Sequence, residues 1–236
     1  MKKRALITGI NGQDGSYLSE FLIDKGYEVY GILKRNSVAE NQTARLQSSF
    51  DKLDLEYADM IDMSSIIRVL NKIKPHEIYN LAAQSHVKIS FDQPIYTAQV
   101  VALGVMNLLE AVRLTCPEAK IYQASSSEMF GNNIDKDGYQ RESTPMSPVS
   151  PYGCSKVFGY NLVRNYRNSY KIFASNGILF NHESPRRGTN FVTNKVAKEA
   201  VKIKLGLSKE LVLGNLDAAR DWGHAKDYVK CMWLIL

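Results

Sequence analysis

Short apolar runs alternate with amphipathic stretches along most of the chain. Ala5–Thr8 is a continuous apolar run closed by a threonine, and a short run of this kind reads as a strand covered on both faces. Residues 14–25 carry Leu18, Phe21 and Leu22 at helical spacing, and Gly26 follows as a stop. Residues 27–33 predict a second strand, residues 36–50 a polar loop with a short helix, and residues 55–58 a third strand. Asp62 or Ser64 caps a helix that runs to Lys72 and is ended by Pro75. A strand over 77–82, a long helix over 95–115, a strand over 120–124, a helix over 152–169 and a strand over 172–180 continue the rhythm. Regular β–α alternation predicts an α/β fold, a doubly wound parallel sheet with helices on both faces.

After residue 180 the rhythm changes. Residues 181–190 read as a loop rich in Pro, Gly and Arg. A helix from Thr193 to Lys204 and a short strand at Leu211–Leu213 follow. The pattern therefore divides the chain into residues 1–180, carrying the sheet, and 181–236, a smaller and incomplete lobe with a segment returning to the sheet. The last six residues, Cys231 to Leu236, are strongly apolar and read as a break inside a helix, which gives the expectation of a fragment.

Composition narrows this little. The 236 residues are 44% hydrophobic and 23% charged, enough apolar material for a core. Thirty Lys and Arg against 24 Asp and Glu leave a formal charge of +6, which suits a phosphate-bearing ligand. The basic residues are dispersed and form no nucleic-acid motif, so no nucleic acid is expected as a partner. No stretch is expected to span a bilayer and no targeting segment is visible, giving a soluble, cytoplasmic expectation. The three cysteines, Cys116, Cys154 and Cys231, are an odd set without a CxxC pair, and are expected to be reduced and mostly buried.

Candidate chemistry begins at the turn after the first strand. Gly9-Ile10-Asn11-Gly12-Gln13-Asp14-Gly15 has the spacing G-x-x-G-x-x-G. Glycines there permit a tight turn and let backbone amides approach a pyrophosphate at a helix N-terminus. Alone the motif fits a plain strand–helix turn as well; its place between strand and helix favours a dinucleotide. An NAD site carries an acid about 20 residues further on. Here that position holds Arg35, beside Lys34, and a guanidinium suits the 2′-phosphate of NADP. Asp59, after the third strand, reads equally as an adenine partner or a loop carboxylate. Leu81-Ala82-Ala83-Gln84-Ser85 is small enough for a cofactor to pass close, or simply for tight packing.

Tyr152 and Lys156 are four apart at a helix start and so share a face. A neighbouring ammonium favours the phenolate, which predicts a phenol lowered from its ordinary value of about 10 toward neutrality and able to act as a general base. Ser126 and Glu128 follow the fifth strand, at the sheet edge where doubly wound folds bind ligands. Ser126 suits a hydrogen bond to the hydroxyl that Tyr152 deprotonates. Glu128 suits proton abstraction beside a carbonyl, or is a capping or surface acid. His86 and His182 have no metal-ligand spacing, so no metal is expected. Cys154 faces away from the pair and reads as a packed thiol.

These elements together, TGINGQDG, the serine with YxxxK, and an acid two residues after the serine, resemble the extended short-chain dehydrogenase/reductase family. Asn80–Val87, Gly177–Gly188 and Gly214–His224 are similar to the branch of that family that dehydrates GDP-mannose. The likeness covers essentially the whole chain. It implies a lyase that takes GDP-mannose to GDP-4-keto-6-deoxymannose by transient hydride transfer to NADP, C5 deprotonation by Glu128 and loss of water from C6. It assigns Tyr152, helped by Ser126 and Lys156, to the C4 hydroxyl proton. It also assigns cofactor contacts to Gly9, Ile10, Asn11, Gly12, Gln13, Asp14, Arg35, Asp59, Met60, Leu81, Ala82, Ala83, Gln84, Ser85, Tyr96, Tyr152, Lys156, His182 and Arg187. Sugar-nucleotide contacts fall on Ser85, Ser126, Glu128, Asn181, Asn190, Val192, Lys195 and Arg220. Arg220 fits a diphosphate chemically, or pairs with Asp217 or Asp221.

The family commonly has threonine at the position of Ser126, and its members continue well past residue 236. It forms dimers and tetramers, which makes a homo-oligomer the expectation, with the loop at 36–50 meeting a neighbour. A 4-epimerase or reductase on the same scaffold, and an inactive NADP-binding fragment, stay open as alternatives. Glu128 favours elimination, because epimerisation at C4 needs no base at C5.

Overall fold

The computed structural model describes residues 2–36, 42–217 and 219–236. The part of the 36–50 loop over residues 37–41 lies outside the described residues. Six strands form one parallel sheet: β1 (Arg4–Thr8), β2 (Glu28–Leu33), β3 (Leu53–Tyr57), β4 (Glu77–Asn80), β5 (Lys120–Ser126) and β6 (Ala174–Leu179). Their spatial order is β3-β2-β1-β4-β5-β6, so the direction of winding reverses between β1 and β4. In doubly wound sheets that switch point opens a crevice at the carboxyl ends of the strands.

Alternation along the strands sorts the core into two layers. Leu6, Ile32, Ile78 and Ile121 pack with α2 (Met63–Ile73) and with the helix α5 (Gly104–Thr115), through Ile66, Leu70, Val105 and Leu108. Ala5, Ile7, Val29, Tyr79 and Tyr122 point to the other face. They meet Leu18 and Leu22 of α1 (Gln13–Asp24) and Val229 and Met232 of the last helix, Ala225–Ile235. The fold class matches the expectation from the alternation.

Asp62 is the N-cap of α2, its carboxylate accepting from the amides of Ser64 and Ser65. That helix ends on Lys74 in the left-handed conformation, φ 48°, immediately before Pro75. The helix expected over 95–115 has more structure than its apolar pattern reveals. A short helix α3 (Val87–Asp92) precedes it, and α4 (Pro94–Ala98) leads through one π-helical turn, Gln99–Leu103, into α5. The stretch Pro94–Thr115 is 22 residues long and contains an 18-residue window of mean hydropathy 1.5, long and apolar enough to span a bilayer, contrary to the expectation that none would be. It packs against α2 and the helix α6 (Pro151–Tyr170), where its apolar side chains supply the core of the sheet.

Past β6 the chain makes a second, two-stranded parallel sheet from β7 (Asn181–Glu183) and β8 (Trp222–His224). Between them lies α7 (Val192–Lys204), and β8 runs directly into α8 (Ala225–Ile235). The apolar run Leu211–Leu213 is not a strand; Val212 is 66% exposed and the segment pairs with nothing that would make it one. Cys116 is half-buried, whereas Cys154 and Cys231 are exposed, which corrects the expectation of mostly buried thiols and of a packed Cys154.

Candidate active site at the carboxyl edge of the sheet

The turn from β1 into α1 is built so tightly that only glycine fits at two of its positions. Gly9 has φ +66°, and a Cβ there would lie 2.9 Å from the Ala82 amide nitrogen. A Cβ on Gly15 would lie 2.5 Å from the Gly9 carbonyl and 2.6 Å from Ile10 Cα, both backbone. The adjoining crossover is fixed from β1: Thr8 Oγ1 donates to Asn80 Oδ1 at 2.6 Å and accepts from the amides of Leu81 and Ala82, each at 3.1 Å. The result is a trough of bare backbone opening onto the N-terminus of α1, the arrangement that receives a dinucleotide pyrophosphate.

The trough leads into a cavity of about 510 Å³. Gly9, Asn11, Gly12, Gln13, Asp14, Leu81, Ala82, Ala83 and Ser85 line one end, and Ser126, Glu128, Tyr152 and Lys156 the other. Asn181, His182, Arg187, Asn190 and Val192 close it from the far side. His86, Val87, Lys88 and Phe191 also line it, and no sequence reading selected them for this. Of these, only Phe191 carried a detectable signal, a large apolar residue just before a predicted helix.

Each of the four reactive side chains is placed by a local rule. Ser126 ends β5, and its hydroxyl accepts from the Glu128 amide at 3.2 Å, capping the single 3₁₀ turn Ser127–Met129 that carries Glu128. Ser150 caps α6 by accepting from the Gly153 amide at 3.0 Å, with Pro151 in the first turn. Gly153 lets that helix seat on the turn, since a Cβ there would lie 2.7 Å from the Glu128 carbonyl. Tyr152 and Lys156 then enter the cavity on one face of α6.

The electrostatics differ from the sequence expectation. Burial pushes the Tyr152 phenol up, to about 12, with the Glu128 carboxylate acting in the same direction and the Ser126 hydroxyl against it. Lys156 does not draw it down, because its ammonium donates to the Ala124 carbonyl at 2.7 Å instead. Burial lowers Lys156 itself to about 8. With both side chains this deeply buried, the cost of each isolated charge exceeds what the neighbour returns.

His182 is also buried. Burial opposes its charged form, but the hydrogen bond and charge of Asp14, at 2.7 Å, and the Phe180 carbonyl leave it raised. Arg187 stacks on Phe191, its guanidinium carbon 3.6 Å from the ring centroid. Its Nε lies 3.0 Å from Glu183 Oε1 but is not aimed at it, and so is buried without a hydrogen-bond partner. An unfulfilled cationic donor beside the trough suits an anionic ligand.

Other candidate residues lie outside the cavity lining. Ile10 is fully buried beneath the glycine loop, and Met60 is packed in the core. Lys34, not Arg35, meets Asp59, at 3.2 Å, and donates to the Tyr96 hydroxyl at 2.8 Å. Arg35 lies over the Tyr57 ring. Gln84 donates to Thr97 Oγ1 at 3.1 Å. Lys195 donates to the Val212 carbonyl at 2.6 Å, and exposed Arg220 to the Ala219 carbonyl at 2.7 Å rather than to either neighbouring aspartate.

The family model described as GDP-mannose 4,6 dehydratase matches residues 6–236. The chain belongs to the GDP-mannose 4,6-dehydratase family. It is 51% identical to the GDP-mannose 4,6 dehydratase of Cricetulus griseus, over 100% of this chain and 65% of the relative. It is 52% identical to that of Homo sapiens, over 98% of this chain and 64% of the relative. It thus spans slightly less than two thirds of the length of these curated relatives. Among solved structures, the UDP-glucose 4-epimerase of Thermus thermophilus in complex with NAD superposes with a TM-score of 0.84 at 26% identity, covering 99% of this chain and 74% of that one. A dTDP-glucose 4,6-dehydratase of Streptomyces venezuelae shares the fold, with a TM-score of 0.83 at 24% identity, over 98% of this chain and 71% of that one.

Proposed function

We propose that this chain carries the catalytic half of a GDP-mannose 4,6-dehydratase that uses NADP. The observation that carries the reading is a carboxylate, Glu128, in the same cavity as Ser126, Tyr152 and Lys156. A 4-epimerase needs the last three alone. Elimination of water from C6 needs in addition a base for the C5 proton, and Glu128 is the carboxylate beside Ser126 and Tyr152, whereas Asp14, which also lines the cavity, is held by His182. A nicotinamide dinucleotide held along the glycine loop and by Lys156 would supply the hydride acceptor for C4 and the donor for C6. The chain's own residues do the rest. Tyr152 takes the C4 hydroxyl proton as the phenolate, a form that burial disfavours in the chain alone and that the positive charge of a bound oxidised nicotinamide would favour. Ser126 holds that oxygen, and Glu128 takes the C5 proton made acidic by the ketone and returns it to the oxygen leaving C6. Lys156, fixed on the Ala124 carbonyl, supplies the cation that orients the dinucleotide's ribose end.

Solved relatives support a nicotinamide dinucleotide, the Thermus epimerase being a complex with NAD. NADP is the finer reading. It rests on Lys34 and Arg35 at the carboxyl end of β2, where no acid follows the strand. Asn181, Asn190 and Val192 line the cavity, and this reading gives them to the sugar. Lys195 and Arg220 reach the diphosphate only if their present backbone partners are given up. The reading includes a cytoplasmic homo-oligomer, dimer or tetramer.

The test is mass spectrometry after incubation with NADP and a mixture of GDP-mannose, UDP-glucose and dTDP-glucose. Loss of one water from GDP-mannose alone is the expected result. Loss from a different sugar replaces the substrate. The Glu128→Gln variant is expected to lose water on the order of 10²-fold more slowly or worse, as removal of a general base does. Undiminished water loss in that variant removes Glu128 from the mechanism.

A further inference from the structure

Tyr228 of α8 has no task in the chemistry proposed above, yet it sits one ring away from the trough. Its ring stacks on His182, with centroids 4.3 Å apart and planes at 17°. His182 bonds Asp14, in the first turn of α1, at 2.7 Å, and its other ring nitrogen the Phe180 carbonyl, also at 2.7 Å. Two further bonds join the same pieces of backbone: Gln13 Nε2 donates to the His182 carbonyl at 3.1 Å, and Ser184 Oγ donates to Gln13 Oε1 at 2.8 Å. The start of α1 is thus fastened at three points, two on His182 of β7 and one on Ser184, the residue that follows the strand.

The fastening has been given room. Gly223 faces His182 in the register of β7 and β8. A Cβ on Gly223 would lie 2.4 Å from Tyr228 Cε2, so a side chain there would push the ring off its stack. Gly223 and Tyr228 therefore form a matched pair, one vacating the space that the other fills on the far face of His182.

We infer that Tyr228 is a positioning residue for the dinucleotide trough, acting through His182 and Asp14 on the glycine loop. Amides at a helix N-terminus hold a pyrophosphate well only when they already converge, so fixing the turn that carries them raises affinity by lowering the ordering cost of binding. The consequence for affinity rests on the dinucleotide reading above. The fastening itself is a property of the chain without ligand.

Two measurements on the same variants separate these. Amide hydrogen exchange over residues 9–17 and 181–184 is followed in the unliganded protein, with β5 as the control, and NADPH affinity is read from its fluorescence. Tyr228→Leu and Gly223→Ala are expected to speed exchange in the glycine loop but not in β5, and to weaken NADPH about threefold to tenfold, the scale of one lost aromatic stack. Tyr228→Phe keeps the ring and is expected to match the parent in both. Unchanged exchange in the glycine loop overturns the inference, as does faster exchange with undiminished affinity, or loosening that extends equally to β5. A Phe variant as weak as the Leu variant overturns it too, since the hydroxyl rather than the stack would then be responsible. A parent protein that binds neither NADPH nor NADH defeats the dinucleotide reading, while the exchange comparison still decides the fastening.

Discussion

Lys156 occupies a position that costs the fold stability. Lys156 is 6% exposed, and among the described residues its ammonium bonds the Ala124 carbonyl and pairs with no carboxylate. A lysine lowered to about 8 by burial carries a penalty of about 3 kcal/mol at neutral pH. Replacing it with Met removes that penalty but gives up the ammonium's bond to the Ala124 carbonyl, which keeps its bond from Gln123 Nε2 at 2.9 Å; the lost bond takes back about 1 kcal/mol. Lys156→Met is therefore expected to be more stable than the parent by about 2 kcal/mol at pH 7, and inactive. The sign fixes the pH dependence. Between about 8 and the ordinary lysine value of 10.5, the unfolded chain holds the proton that the folded chain has lost. The parent gains stability as pH rises through that window, and the gap to the variant closes. Denaturant midpoints at pH 7 and pH 10 check it, and a Met variant less stable at pH 7 would show that the ammonium is not an isolated charge. At this scale the sequence was informative about partners and blind to surroundings. Tyr152 and Lys156 announce a shared helix face by their spacing alone. The direction of the phenol's shift depends on how deeply Tyr152 is buried, and that burial comes from residues far along the chain.

At the scale of elements, one glycine motif contains positions of different severity. In G-x-x-G-x-x-G, a Cβ on Gly12 would meet the Gly9 carbonyl at 3.1 Å, a contact that a small backbone adjustment relieves. On Gly15 the same atom would lie 2.5 Å from that carbonyl and 2.6 Å from Ile10 Cα, with backbone on both sides and no flexible side chain to yield. Gly15→Ala is therefore expected to cost about 1–3 kcal/mol by overpacking and to abolish NADPH binding, because α1 must move off the loop. Gly12→Ala is expected to lose far less of both. Melting temperature and NADPH titration of the two variants check the order, and equal losses would mean that glycine is required here for reasons other than space. The elements themselves were legible where the apolar period was long, as in α2, α5 and α6. They were missed where pairing rather than pattern makes the strand. Asn181–Glu183 is polar and Trp222–His224 has a central glycine, so neither carries an alternating signature, and each is a strand only because the other lies beside it. Leu211–Leu213 errs the opposite way, with apolar residues and no partner strand among the described residues.

Over the whole molecule, the cavity draws on residues from Gly9 to Val192, and the sheet order brings them to one edge. Motif order along the chain was enough to foresee that edge, because strand ends of a parallel sheet all face the same way. Lys195 and Arg220 were chosen by likeness to a longer family, and Arg35 and Asp59 by their places after the second and third strands; all four meet other groups here because their positions depend on more of the fold than a local pattern encodes. The balance of charges at the end of β2 still makes a prediction at this scale. Any ligand that binds only the folded chain stabilises it by about 2.7 kcal/mol at a hundred times its dissociation constant. For a chain of 236 residues, that is an upward shift in melting temperature of about 5–10 °C. With Lys34 and Arg35 available to a 2′-phosphate, NADPH at a given concentration is expected to raise the melting temperature several degrees more than NADH. Added salt is expected to narrow the difference, because the contact is exposed and screened. Equal shifts with the two dinucleotides would mean that the basic pair stays with Asp59 and Tyr57 when the ligand binds. A larger shift with NADH would turn the assignment over, leaving Asp59 as the ribose partner.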